Sequence, residues 1–145
     1  MPSVLIMIIG VFANLVAGNS VLFFGTSDIQ SVNYDLMAGM SMACIYCYLF
    51  VFKNLCLKTK SLPYLLLISV LTCFAIVWLG CIIASVFTAI RLEDQFLLGV
   101  FKGIATGFFL GIVGNLGMIG ITVPLGLLNV FWFKIYRDRL LSDDI

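Results

Sequence analysis

The stretch GFFLGIVGNLGMIG, residues 107–120, decides the fold of this chain, because it combines large apolar side chains with regularly spaced glycines. Glycines three or four residues apart lie on one side of an α-helix, where the lack of side chains lets another helix approach closely. The spacing therefore predicts a membrane-type helix with one glycine packing face. The predicted face consists of Gly103, Gly107, Gly111, Gly114, Gly117 and Gly120.

The composition of the whole chain is that of a membrane protein. Apolar residues make up 63% of its 145 residues and charged residues only 10%, unlike a soluble domain. The net charge of +1 offers no electrostatic basis for binding nucleic acid. We expect one integral membrane domain, residues 1–145, surrounded by membrane lipid.

Catalytic chemistry finds no support in the sequence. The chain has no histidine, which is the commonest general base and a frequent metal ligand. Its five cysteines are scattered singly, which is typical of small buried packing residues. No nucleophile and base, metal cluster or carboxylate pair can be assigned. We therefore predict that the protein is not an enzyme and holds neither a cofactor nor a metal.

Four apolar segments are long enough to cross a bilayer, which takes about 20 residues. The last apolar stretch starts near residue 95 and is too long for one simple span. Two short spans joined by a turn between Asn115 and Pro124, or one long helix bent at Pro124, would both fit it. The predicted spans cover residues 4–24, 36–52, 63–90 and 103–133, and residues 134–145 form a tail.

The basic residues favour four spans over five. They are concentrated in the second loop and after the last apolar stretch, and an even number of spans puts both clusters on the cytosolic side. We therefore predict an all-α bundle of four transmembrane helices with both termini cytosolic. The last helix is expected to be long, glycine-rich and kinked near Pro124. The two clusters are Lys53, Lys58 and Lys60, and Lys134, Arg137 and Arg139.

Amides and hydroxyls are the polar groups expected inside the spans, because no charged residue lies near the middle of a span. Such groups either hydrogen-bond between helices, for about 0.6 to 2 kcal/mol each, or line a path for water or ions. The sequence leaves both interpretations open. Four of them fall on or near faces of small residues: Asn14, Asn19, Asn115 and Thr122.

Residues 107–120 resemble the third helix of the proteolipid subunits that form the rotor ring of V-type ATPases. That helix carries a similar G-F-x-x-G-I-V-G-x-x-G-x-x-G pattern, and GCIIASVF, residues 80–87, resembles the end of the preceding helix in the family. The chain departs from the family where the proton-carrying carboxylate is expected, near Phe74. It also has little sequence after Pro124 for a last helix. The resemblance implies a relative that does not transport protons, such as a ring filler or an assembly factor.

Three functions fit these observations. The first is a non-enzymatic membrane subunit that packs through the face Gly103–Gly120 against other subunits or a second copy. A V-type ATPase is one complex in which it could be assembled. The second is a small homo-oligomeric channel or transporter whose path is lined by the four polar residues. The third is an inner-membrane immunity protein that neutralises a pore-forming toxin. The sequence does not distinguish a plasma or inner membrane from that of an acidic organelle.

Overall fold

The computed structural model describes residues 3–24, 33–55, 57–93 and 95–142, and this part of the chain is helical apart from short connections. Each of its five α-helices is long and apolar enough to cross a membrane, as expected of a multi-pass integral membrane protein. They are α1 (Ser3–Phe24), α2 (Tyr34–Asn54), α3 (Leu62–Leu92), α4 (Phe96–Gly117) and α5 (Ile119–Ser142), with a 3-10 turn at Leu57–Thr59.

Local sequence signals account for where the helices begin. The Asn33 side chain caps α2 by accepting a hydrogen bond from the Leu36 N–H at 3.0 Å, which satisfies one of the free donors of the first turn. Asp35 in the same turn complements the positive end of the helix dipole. Pro63 stands in the first turn of α3, where a proline costs no backbone hydrogen bond.

Helix α3 is the centre of the bundle. Its 31 residues make it about 46 Å long, and α2, α4 and α5 pack against it, while α1 packs against α2 and α5. Two glycines allow α2 to approach α3 closely. A Cβ atom on Gly39 would lie 2.5 Å from the carbonyl oxygen of Gly80, so a larger residue at this position would push the helices apart.

One end of the bundle has an aromatic core. The Phe133 ring packs on Phe52, with centroids 5.4 Å apart, and on Tyr48 at 5.9 Å. Nearby, the Arg137 guanidinium donates a hydrogen bond to the carbonyl oxygen of Lys60 at 3.1 Å. The α2–α3 connection and the last turns of α5 therefore lie together, and we call this part of the bundle the basic end.

The prediction of four helices is wrong in its count, because the last apolar stretch forms two helices. The chain turns at Met118, where φ is −102° and ψ is 12°, and not at Pro124, which lies inside α5 without ending it. The Met118 carbonyl accepts from the N–H groups of Ile121 at 2.9 Å and Thr122 at 2.8 Å. This tight turn starts a new helix, and α5 then continues through part of the predicted tail, to Ser142.

Helices α4 and α5 run antiparallel to α3, one after the other along its length. Along α4, Gly99 lies against Ile90 and Gly111 against Trp78; further on, Gly126 of α5 lies against Val70. The bond from Arg137 to the Lys60 carbonyl completes this path at the first residues of α3. The break at Met118 therefore falls beside the middle of α3, and the two helices together cover its length.

Candidate functional site

The first half of the predicted glycine face is occupied by α3 of the same chain. A Cβ on Gly103 would lie 2.5 Å from the Val86 Cα, and a Cβ on Gly107 would overlap the Ile82 Cα. Gly111 lies in the same way against the backbone and ring of Trp78. Since side-chain carbons do not approach other atoms this closely, only glycine fits at these positions.

The second half of the face is open. Gly114 has ordinary van der Waals neighbours at 3.6 Å, whereas Gly117 and Gly120 have no described atom within 4 Å of an added Cβ. The six glycines therefore do not form one packing surface. We call Gly103, Gly107 and Gly111, together with Gly99 one step earlier, the front glycines, and Gly117 and Gly120 the back glycines.

A small cavity lies on another side of α3, between α1, α2, α3 and the start of α5. Its volume is about 80 Å³, and most of its wall is apolar. Polar side chains reach it from three helices: Asn14 and Asn19 from α1, Ser41 from α2 and Thr122 from α5. Met118, where the chain turns between α4 and α5, also lines it. We call this space the amide cavity.

Hydrogen bonds hold the polar groups of the amide cavity in place. The Asn19 amide donates to the Ser41 hydroxyl at 3.0 Å, and that hydroxyl donates to the carbonyl of Met37 at 2.8 Å. The Thr122 hydroxyl donates to the Met118 carbonyl at 2.9 Å. The Asn19 Oδ1 atom is buried and has no hydrogen-bond partner in the described part of the chain. It is therefore available to accept a hydrogen bond from a bound molecule.

Asn115 does not belong to this cavity, although the sequence grouped it with the other three residues. Its amide donates to the carbonyl of Phe74 at 3.2 Å and to that of Gly111 at 2.9 Å. It lies in a separate groove between α3 and α4, with Trp78. The structure thus brings Asn14, Asn19 and Thr122 together at the amide cavity. Asn115 instead forms a hydrogen bond between α4 and α3.

Other buried polar groups lie close to the amide cavity. The Asn129 amide, which is 2% exposed, donates to the Sγ atom of Cys73 at 3.2 Å, and Cys73 itself lines the cavity. The Ser69 hydroxyl donates to the carbonyl of Gly126 at 2.5 Å. The sequence predicts hydrogen bonding between helices for Asn129 but does not place it with Ser69 or Cys73, because isolated polar groups in a span carry no spacing signal. Gly99, by contrast, continues the four-residue spacing and could have been included.

The amide cavity suits a neutral ligand. None of the residues that line it carries a charge, and an ion in such surroundings would lose its hydration without compensation. Among the described residues, no three His, Cys, Asp or Glu side chains lie close enough to hold a metal ion. Amides and hydroxyls offer both donors and acceptors, which match small molecules with the same groups.

Comparisons with known proteins give no assignment. No protein-family model matches the chain, and neither a curated protein nor a solved structure matches it significantly.

Proposed function

We propose that this protein is a non-enzymatic, multi-pass membrane protein that binds a small neutral solute in the amide cavity and carries it across the bilayer. The observation that supports this proposal is the convergence of Asn19, Ser41 and Thr122, from three different helices, beside the break at Met118. In membrane transporters, binding sites occur near the midplane, where interrupted helices meet polar side chains. The unpartnered Oδ1 atom of Asn19 is the acceptor for the solute.

Four crossings by the five helices are part of the same proposal. Helices α4 and α5 lie end to end alongside α3, and together they act as one interrupted span. Helices α1, α2 and α3 each cross the membrane once. Helix α3, at about 46 Å, already matches the full thickness of a bilayer with its headgroups. The break at Met118 then lies near mid-depth. The start of α1 and the end of α5 then lie on the side of the basic end, and the positive-inside rule makes that side cytosolic.

Solute flux into proteoliposomes tests the transport proposal. The purified chain would be reconstituted and challenged with small neutral solutes, such as urea and glycerol, and with ions. We expect faster entry of at least one neutral solute than into empty vesicles, and no entry of ions. Asn19→Leu should abolish this flux, because it removes both the acceptor and the bond to Ser41.

Asn115→Leu is the matched control, since it makes the same chemical change at a half-buried amide outside the amide cavity, whose Oδ1 atom also has no partner in the described part of the chain. It should retain the flux of the wild-type protein. Flux indistinguishable from empty vesicles for every neutral solute would contradict the transport proposal. Equal loss in the Asn19 and Asn115 variants would show that the cavity has no specific role.

A second candidate is a packing subunit of a larger membrane complex, as the resemblance to V-type proteolipids implies. The back glycines favour it, because Gly117 at the end of α4 and Gly120 at the start of α5 have no described atom within 4 Å of an added Cβ. The Gly117→Leu/Gly120→Leu double variant should then lose a partner on a native gel while keeping its fold. Mass spectrometry of the wild-type band would show whether ATPase subunits migrate with the protein.

A further inference from the structure

The two ends of the bundle differ in how their charges are balanced. At the end opposite the basic end, the Arg91 guanidinium forms an ion pair with the Asp35 carboxylate. The Lys102 ammonium likewise pairs with Glu93 at 2.6 Å. Each described cation at this end therefore has a carboxylate beside it, and little positive charge is left to attract an anion.

The basic end gathers cations from two distant parts of the sequence. The rings of Phe52 and Phe133 touch edge-to-face, with centroids 5.4 Å apart, so their sequence neighbours Lys53 and Lys134 belong to the same end of the bundle. Both lysines are exposed.

Two further contacts bring Lys60 and Arg137 to this group. The Arg137 guanidinium donates a hydrogen bond to the Lys60 carbonyl oxygen at 3.1 Å. The Lys60 ammonium lies 4.6 Å from the centroid of the Tyr64 ring. Arg137 is paired with Asp138 at 2.8 Å. The exposed lysines thus add to a surface on which basic residues outnumber acidic ones in the described part of the chain.

We infer that the basic end binds the phosphate headgroup of an anionic phospholipid. Cations grouped at the ends of membrane helices attract anionic headgroups with about 1 kcal/mol per lysine near the surface. A lipid fits better than a free phosphate, because two aromatic rings at this end offer an apolar surface to the glycerol and acyl chains. The Tyr64 ring lies beside the Lys60 ammonium, and the Tyr136 ring packs on Phe52, the neighbour of Lys53. The lysines that carry this site are Lys53, Lys60 and Lys134.

Native mass spectrometry of the full chain in a neutral detergent tests this inference. We expect the wild-type protein to retain phosphatidylglycerol in preference to phosphatidylcholine. The Lys53→Gln/Lys134→Gln double variant should bind phosphatidylglycerol roughly 25-fold more weakly, since each lysine is worth about fivefold. The single variant Lys134→Gln should bind phosphatidylglycerol about fivefold more weakly than the wild-type protein. Both lysines are exposed, so the variants should fold.

The control removes the same number of charges from the other end. Arg91→Gln/Lys102→Gln should change the affinity for phosphatidylglycerol less than about twofold, because those cations are already paired. Equal retention of the two lipids by the wild-type protein, or equal loss in both double variants, would overturn the inference. So would displacement of the lipid by millimolar inorganic phosphate, which would assign the site to the free ion.

Discussion

The front and back glycines have the same residue type and lie in the same apolar stretch, but only the front glycines are covered. Gly103 and Gly107 lie against the backbone of α3, whereas Gly117 and Gly120 have no described neighbour within reach of a Cβ. Glycine spacing thus tells which side of a helix is bare. Whether another helix lies on that side depends on how far the two helices run together.

The geometry of α3 and α4 explains where the close contact ends. The front glycines repeat every four residues, and the residues opposite them on α3, from Ile90 to Trp78, repeat every four residues as well. The contact therefore recurs at each turn over about 18 Å. After Gly111 the glycines are three residues apart, and α4 ends at Gly117. Gly120 then belongs to a different helix, which lies elsewhere against α3.

The largest expected effect on stability comes from placing a large side chain at one of the front glycines. Gly107→Leu places a side chain where the Ile82 backbone stands, and neither backbone can move without separating α3 from α4. We expect a loss of at least about 3 kcal/mol in the free energy of unfolding, at the upper end of overpacking effects. Equilibrium unfolding in mixed detergent micelles, followed by circular dichroism, measures it.

Gly117→Leu is the control for this substitution, because it adds the same side chain at an open position. It should change the free energy of unfolding by less than about 0.5 kcal/mol. Similar destabilisation by both variants would refute the division of the face.

A smaller effect is expected at the close approach between α5 and α3. A Cβ on Gly126 would lie 2.9 Å from the Val70 Cα and 3.0 Å from its Cγ2 atom, a less close approach than at Gly107. Gly126→Leu should therefore cost about 2 kcal/mol, less than Gly107→Leu in the same unfolding experiment. A cost above that of Gly107→Leu would mean that α5, rather than α4, makes the tighter contact.

The Asn115 side chain forms a hydrogen bond that connects α4 to α3, one turn after Gly111, the last of the front glycines. Asn115→Leu removes the hydrogen bond to the Phe74 carbonyl and should destabilise the bundle by about 1 kcal/mol, within the range for buried polar pairs in membranes. Thr106→Val, an exposed position on the same helix, is the reference. An unchanged free energy of unfolding would show that this amide contributes nothing to the contact.

The smallest expected effect is that of alanine substitutions, which should change the free energy of unfolding in opposite directions at a back glycine and a front glycine. Gly117→Ala should stabilise the protein by a few tenths of a kcal/mol, because glycine in a helix costs about 0.5 to 1 kcal/mol relative to alanine. Gly103→Ala should destabilise it, since its Cβ would lie 2.5 Å from the Val86 Cα. Thermal unfolding of the two variants side by side measures the difference. The same sign for both would remove the distinction between front and back.

Much of the helical architecture could be predicted from the sequence. The apolar segments and their bounding polar residues indicate where α1, α2 and α3 lie, because a crossing needs a run of apolar residues whatever it packs against. The glycine spacing likewise indicates a close helix contact, although not that α3 of the same chain provides it.

The sequence allows a turn between Asn115 and Pro124 but does not place it at Met118, because the cause of the break is not local. Methionine is a good helix former, and Pro124 is the stronger local signal for a bend. Helix α5 is instead positioned by contacts with distant parts of the chain, such as Trp132 beside Gly10. The same packing directs Thr122 towards the amide cavity and leaves Asn115 outside it, a distinction that the spacing of polar residues along the chain does not contain.

The most direct test of the account is the sidedness of two positions at the basic end. Lys60→Cys and Lys134→Cys would be introduced singly into a cysteine-free chain and labelled in intact cells and inverted vesicles with a membrane-impermeant maleimide. Four crossings with an interrupted last span predict labelling of both positions from the cytosolic side only. Labelling of the two positions from opposite sides would mean that α4 and α5 each cross the membrane, and would contradict the account.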